Sequence, residues 1–192
     1  LLTAFFIYFL GGVSQISSLH AQEDKFTFQT ISVEQGLSSS NTLCLHVDHL
    51  NRIWVGTMDG LNLYDGQKVK VFQQSELNPN SLLGHHVIDI LQKENTLWVL
   101  TTTGISSLDL YNLKFTQYPL VEVNAFTSFD DRILVSTNNG LKEIDQKAGI
   151  IRDSDLLPRE YHKISAFHEN ERALYAATFD QRIVVLDKPT GK

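Results

Sequence analysis

A single cysteine, Cys44, stands in the 192 residues, so no internal disulfide can brace the fold. It lies in the apolar run Leu43, Leu45 and Val47, the setting of an inert buried thiol rather than a reactive one. Positive charge is also short. Sixteen Lys and Arg against 22 Asp and Glu leave a net charge of −6, with the cations scattered, which gives no electrostatic footprint for nucleic acid. The longest apolar block, residues 1–10, is about half of the ~20 residues that a membrane-spanning helix needs. No glycine-rich phosphate loop, Cys-x-x-Cys pair, Gly-x-Ser-x-Gly elbow or His-Glu-x-x-His helix occurs, so the familiar catalytic and metal frameworks are missing. With 42% hydrophobic and 20% charged residues, the chain is globular rather than disordered or fibrous.

What is present is a repeat. Residues 52–65, RIWVGTMDGLNLYD, put Ile53, Trp54 and Val55 in a short β-favouring run. Asp59-Gly60 then signals a turn, and Leu61, Leu63 and Tyr64 restart the apolar pattern, which together describe a β-hairpin. The unit recurs as TLWVLTTTGISSLD (96–109), RILVSTNNGLKEID (132–145) and, more loosely, ALYAATFDQRIVVLD (173–187). The closing residues Asp65, Asp109, Asp145 and Asp187 lie 44, 36 and 42 positions apart by subtraction. A period of about 40 is the length of one four-stranded propeller blade. The predicted class is therefore all-β: a β-propeller fragment of about four antiparallel blades, the last incomplete, preceded by a signal peptide.

Residues 1–21 have the form of a secretory signal peptide, with an apolar core, small and polar residues, and Ala21 before Gln22. Cleavage is expected after Ala21. The absence of Met and of a basic start predicts that the natural chain begins upstream. Residues 26–32, FTFQTIS, alternate as an isolated strand. A propeller closes its ring by completing the last blade with a strand from the other chain end, which removes an exposed edge, and 26–32 fits that role. Within residues 22–192, the blades are predicted at 42–73, 87–118, 123–153 and 162–192, the last one strand short.

Met58-Asp59-Gly60, Thr102-Thr103-Gly104 and Asn138-Asn139-Gly140 occupy equivalent turns, where φ > 0 favours Gly. The fourth unit has Phe179-Asp180-Gln181, and Gln there would cost roughly 1 kcal/mol, so that turn is expected to change type. Trp54 and Trp98 share one repeat position and are assigned to packing between blades. The closing aspartates are assigned to turn stabilisation through backbone N–H groups.

The wording EQGLSSSNTLCLHVDHLNRIWVGTMDGLNLYDGQKVKVF followed by NPNSLLGHHVIDI resembles the two-component regulator propeller repeats of Bacteroidetes-type hybrid sensors. The resemblance runs from Phe26 to Asp187. It is closest in the first two repeats, weaker where Leu134 replaces Trp, and weakest where Tyr175 does and the glycine is lost. It implies an extracytoplasmic sensor, commonly of two seven-bladed propellers and a further β-domain, followed by a membrane helix and a kinase or other signalling output.

On that basis the chain is expected in the periplasm as part of an inner-membrane regulator. Its expected partners are a glycan or other polar ligand such as an oligosaccharide, the remaining blades and downstream domains of the same polypeptide, and a second copy in a full-length homodimer. No cofactor, metal or catalytic residue is expected, and any kinase activity would lie elsewhere. Adjacent His85 and His86 point to opposite sides of an extended segment and chelate poorly. His46 and Asp48 share a face without a third ligand. Connectivity brings the inter-blade connections and second-to-third-strand turns to one end of the sheets. There Glu34, Asn41, Met58, Asp59, Asn78, His85, His86 and Tyr161 offer acceptors, amides and aromatic surface for a sugar-like ligand. The competing functions are a secreted propeller enzyme of the lyase, glycosidase or quinoprotein type, and a structural propeller that binds protein; fold class does not separate them.

Overall fold

The computed structural model describes residues 27–161 and 163–188. The signal-peptide segment 1–21 lies outside them. The chain divides into two units, Leu1–Thr30 and Ile31–Lys192; residues 27–30 of the first carry no regular structure. Among the described residues, no helix is long and apolar enough to cross a membrane.

Among its described residues, the second unit holds fifteen strands in four antiparallel sheets. Blade 1 comprises β1 (Thr42–Val47), β2 (Ile53–Thr57), β3 (Gly60–Tyr64) and β4 (Val69–Phe72). Blade 2 comprises β5 (Val87–Lys93), β6 (Thr96–Thr101), β7 (Gly104–Asp109) and β8 (Phe115–Pro119). Blade 3 comprises β9 (Val123–Phe129), β10 (Arg132–Thr137), β11 (Gly140–Asp145) and β12 (Ile150–Asp153). Blade 4 has three strands, β13 (Ile164–Glu169), β14 (Ala173–Thr178) and β15 (Ile183–Asp187). Every ladder joins strands consecutive in sequence, as short hairpin turns require.

Register explains the packing. Trp54 lies opposite His46 and Leu63, Trp98 opposite Leu91 and Ser107, Leu134 opposite Thr127 and Glu143, and Tyr175 opposite His168 and Val185. The period of two sets these residues on one face of each sheet. In blades 1 to 3 that face buries against the next sheet. Trp54, Leu61 and Leu63 meet Ile90, Leu97 and Val99. Trp98, Leu100 and Ile105 meet Phe126, Ile133 and Val135. Leu134 and Leu141 meet Ile164 and Leu174. Both tryptophans are fully buried, and burial of a large apolar side chain stabilises by a few kcal/mol. Ring contacts extend the first two layers, with Trp54 on Phe72 at 5.8 Å, Phe72 on Phe115 at 5.7 Å and Trp98 on Tyr118 at 5.6 Å.

The two ends of this series remain open. Leu45 is 70% exposed, whereas Ile90 and Phe126, at the same position in blades 2 and 3, are 8% and 7% exposed. At the far end Ile183 and Val185 are also exposed. Among the described residues, no layer joins blade 1 to blade 4, and the ring is not closed.

Local chemistry fixes the turns. Asp65 accepts from the Gln67 and Lys68 N–H groups, Asp109 from Tyr111 and Asn112, and Asp145 from Lys147 and Ala148, at 2.8–3.0 Å. Those donors hold all three carboxyls below the ordinary Asp range. Gly60, Gly104 and Gly140 take φ of 124°, 140° and 125°. A Cβ on Gly60 would also stand 2.6 Å from the Phe72 carbonyl oxygen, so close backbone approach excludes other residues there besides φ.

One expectation requires correction and another is met in part. Residues 27–32 form no strand, and a 3₁₀ turn, Val33–Gln35, follows them under a Ser32 cap. An extended segment without a ladder lacks the inter-strand hydrogen bonds that offset the conformational entropy of a strand. The turn in blade 4 is one residue longer than its counterparts, with the Thr178 N–H on the Arg182 carbonyl, yet Gln181 still takes the left-handed φ of 67°. The turn therefore changes type by one added residue, as expected, while Gln181 nonetheless takes a positive φ.

Candidate ligand-binding face

The second-to-third-strand turns and the inter-blade connections emerge together, because β4 returns beside β3 with Phe72 opposite Leu61. One hydroxyl braces each turn on this upper face. Thr57, Thr101, Thr137 and Thr178 donate to the carbonyls of Gly60, Gly104, Gly140 and Arg182 at 2.9–3.1 Å. The connections are pinned on the sheets: the Ser38 N–H donates to Asn62 Oδ1 at 2.8 Å and the Leu83 N–H to Ser106 Oγ at 3.0 Å.

Two groups among the expected residues come together at blade 1. Asn41 Nδ2 donates to Met58 Sδ at 3.2 Å, and the Met58 N–H donates to the Asn41 carbonyl at 3.1 Å. Gln73 Nε2 donates to the carbonyl and to Oδ2 of Asp59 at 2.9 and 3.0 Å, leaving Oδ1 3.7 Å from His85 Nδ1. Asp59 and His85 are both about half exposed, which suits a polar contact with a ligand at modest desolvation cost.

Each of the other expected residues makes a local contact. The Glu34 N–H donates to Ser32 Oγ, Asn78 Oδ1 caps the Asn80 N–H, and the His86 carbonyl accepts from the Thr102 N–H. Tyr161 has one ring face covered by the Arg182 guanidinium at 4.9 Å, and Arg182 is itself paired with Asp180. Among the described residues, no three His, Cys, Asp or Glu side chains gather as a metal-ligating group.

The opposite, lower end holds two charged sites that sequence reasoning missed. Asp48 is buried and accepts Trp54 Nε1 at 2.8 Å, Arg52 Nε at 2.7 Å and the Leu50 and Arg52 N–H groups at 2.9 and 3.0 Å. Burial pushes its carboxyl up, but the donors from Trp54 and Arg52 outweigh it and the net shift is downward. In blade 3 the buried Glu143 lies between Arg132 and Arg152. Burial also pushes the Cys44 thiol up to about 12, with the Asp89 charge adding to it, so Cys44 is no nucleophile near neutral pH.

The comparisons follow this architecture. No protein-family model matches the chain. The chain is similar to the WD40 β-propeller domain of Doa1, with a TM-score of 0.60 and 12% identity over 79% of this chain and 52% of that one. The chain folds as consecutive blades of a β-propeller. It is also similar to the extracellular domain of a putative hybrid two-component system from B. thetaiotaomicron, with a TM-score of 0.67 and 20% identity over 83% of this chain and 25% of that one. In sequence it is 35% identical over 65 residues to histidine kinase P4 of Formosa agariphila, which is 34% of this chain and 5% of that protein. The chain spans a quarter of that extracellular domain and 5% of that histidine kinase.

Proposed function

We propose that the chain is part of an extracytoplasmic ligand-sensing propeller in a membrane-bound hybrid two-component regulator. The observation that carries this is the pairing of 35% identity to a histidine kinase with the fold of a hybrid two-component system's extracellular domain. The propeller supplies recognition and no chemistry; a downstream kinase supplies the output. The ligand is a glycan fragment or another polar molecule, bound on the upper face where Asp59, held by Gln73, stands beside His85. Paired acceptors, amides and a ring at a partly exposed site match the few placed polar groups of a small-molecule site.

Compartment and processing test it. Protease added to cells with a permeabilised outer membrane should degrade the propeller, and the mature protein should begin at or near Gln22. A protected chain that retains residues 5–10 in the cytoplasm contradicts the proposal.

A further inference from the structure

At the lower end of the interface between blades 2 and 3, a crevice of about 410 Å³ separates the face of β6, β7 and β8 from the β11–β12 turn, within the size range of small-molecule sites. Exchanges relative to the interface between blades 1 and 2 open it. Leu63 stands opposite Trp54 in blade 1, whereas Ser107 stands opposite Trp98 in blade 2. Leu110 and Leu113 of the β7–β8 turn pack on the Trp54 layer, and counting from the closing aspartates their counterparts in the β11–β12 turn are Gln146 and Gly149. A Cβ on Gly149 would meet nothing within 4 Å. We infer that this crevice binds a compact neutral polyol.

Unpaired buried hydroxyls mark the site. Ser107 and Tyr118 both line the crevice with only 7% and 2% of their surface exposed, and among the described residues neither hydroxyl has a hydrogen-bond partner. Beside them Trp98, opposite Ser107 and with its ring 5.6 Å from that of Tyr118, keeps a buried indole N–H that is also unpaired. Buried polar groups are ordinarily paired, so three neighbouring exceptions point to an occupant that pairs with them.

The chemistry of these groups selects the ligand. A hydroxyl both donates and accepts, and each hydroxyl of a polyol answers both needs. Thr116, opposite Ser107 on the next strand, adds a third hydroxyl to the same wall. Lys114 and Lys147 at the rim are exposed, where solvent and salt screen their charge, so hydroxyl pairing rather than charge decides what binds. The wall is braced beforehand: Gln146 Nε2 donates to Thr96 Oγ1 at 3.0 Å across the two blades, and Asp109 Oδ1 is held by the Tyr111 and Asn112 N–H groups. A braced wall loses little entropy on binding. The site lies away from the upper face, and the inference stands whether or not the sensor reading holds.

Ligand-observed NMR on the full chain with myo-inositol and cyclohexanol, two cyclohexane rings that differ in their hydroxyl groups, isolates the hydrogen bonding. myo-Inositol should bind with a Kd of about 1 mM and cyclohexanol about tenfold more weakly. Ser107→Leu, which places the side chain of blade 1 in blade 2, should fill the crevice and abolish binding of myo-inositol. Tyr118→Phe should weaken that binding about threefold and leave the urea midpoint unchanged, because the hydroxyl has no partner in the fold. Asp59→Ala on the upper face should leave it unaltered. Equal binding of the two rings, an unchanged Kd in Tyr118→Phe or in a folded Ser107→Leu, a loss of binding in Asp59→Ala, or no binding of myo-inositol would overturn the inference.

Discussion

Oδ2 of Asp48 lies 2.8 Å from Nε1 of Trp54 and 2.7 Å from Nε of Arg52, so one buried carboxylate ties the β1–β2 connection to the indole that packs blade 1 on blade 2. Removal of that carboxylate leaves the Arg52 charge and the Trp54 N–H short of a partner. Asp48→Ala should destabilise the chain by about 3–5 kcal/mol, read as a lowered urea midpoint. Its carboxyl is held below the unfolded Asp value, so the stabilisation is complete above a pH of about 4 and disappears as pH falls through the folded pKa. A midpoint that Asp48→Ala leaves unmoved, or the same acid profile in wild type and variant, would refute this assignment.

Blade 2 offers the contrast. Its β5–β6 connection is the two-residue turn Glu94-Asn95, and Trp98 Nε1 is buried without a hydrogen-bond partner. Trp98→Phe therefore loses ring volume but no hydrogen bond, while Trp54→Phe also removes one of the donors to the buried Asp48 carboxylate. Trp54→Phe should be the more costly by about 1–2 kcal/mol. The reverse order in thermal or urea unfolding would show that volume alone decides.

Gly56 faces Cys44 in the β1–β2 ladder, and a Cβ there would lie 2.3 Å from Cys44 Sγ and 2.6 Å from Val87 Cγ1. Gly56→Ala should cost about 1–3 kcal/mol through overpacking between blades 1 and 2. The double variant with Cys44→Ala should recover part of that loss. Additive losses in the double variant would mean that the thiol is not the obstacle.

Exposed Leu45 and Val185 lie on the faces that, in the interior of the series, bury against another blade. Unpartnered apolar faces favour self-association. The isolated chain should sediment as oligomers at micromolar concentration, and Leu45→Lys should shift it towards the monomer. A wild-type chain that is monomeric, with one sharp cooperative unfolding transition, would instead indicate a closed four-bladed ring.

Much of this fold was legible because the signals are local. Gly60, Gly104 and Gly140 reflect a backbone angle, Asp65, Asp109 and Asp145 bond N–H groups two and three residues away, and Trp54 and Trp98 repeat in a periodic pattern. The Thr57, Thr101, Thr137 and Thr178 braces were legible too, since Thr precedes the turn in all four units, but sequence reasoning passed over that recurrence. The roles of Asp48 and Glu143 were not visible. Asp48 depends on the path of a connection present only in blade 1, and Glu143 on two arginines that meet it across strands where Leu134 replaces the indole. Asp59 and His85 stand 26 positions apart by subtraction, and only the folded connection brings them within 3.7 Å. Glu34 and Asn78 lie in local turns of the fold.

The central claim, that the upper face of these blades reads a ligand, meets its most direct test in affinity measurements on the full regulator and its variants. Asp59→Ala and His85→Ala on the upper face should each weaken ligand binding by about tenfold and reduce transcriptional induction in step. Gln67→Ala, in an exposed turn at the lower end, should change neither and is a better control than Asp48→Ala, whose side chain is structural. Unchanged affinity and induction in both upper-face variants would contradict the account and remove this face as the site of recognition.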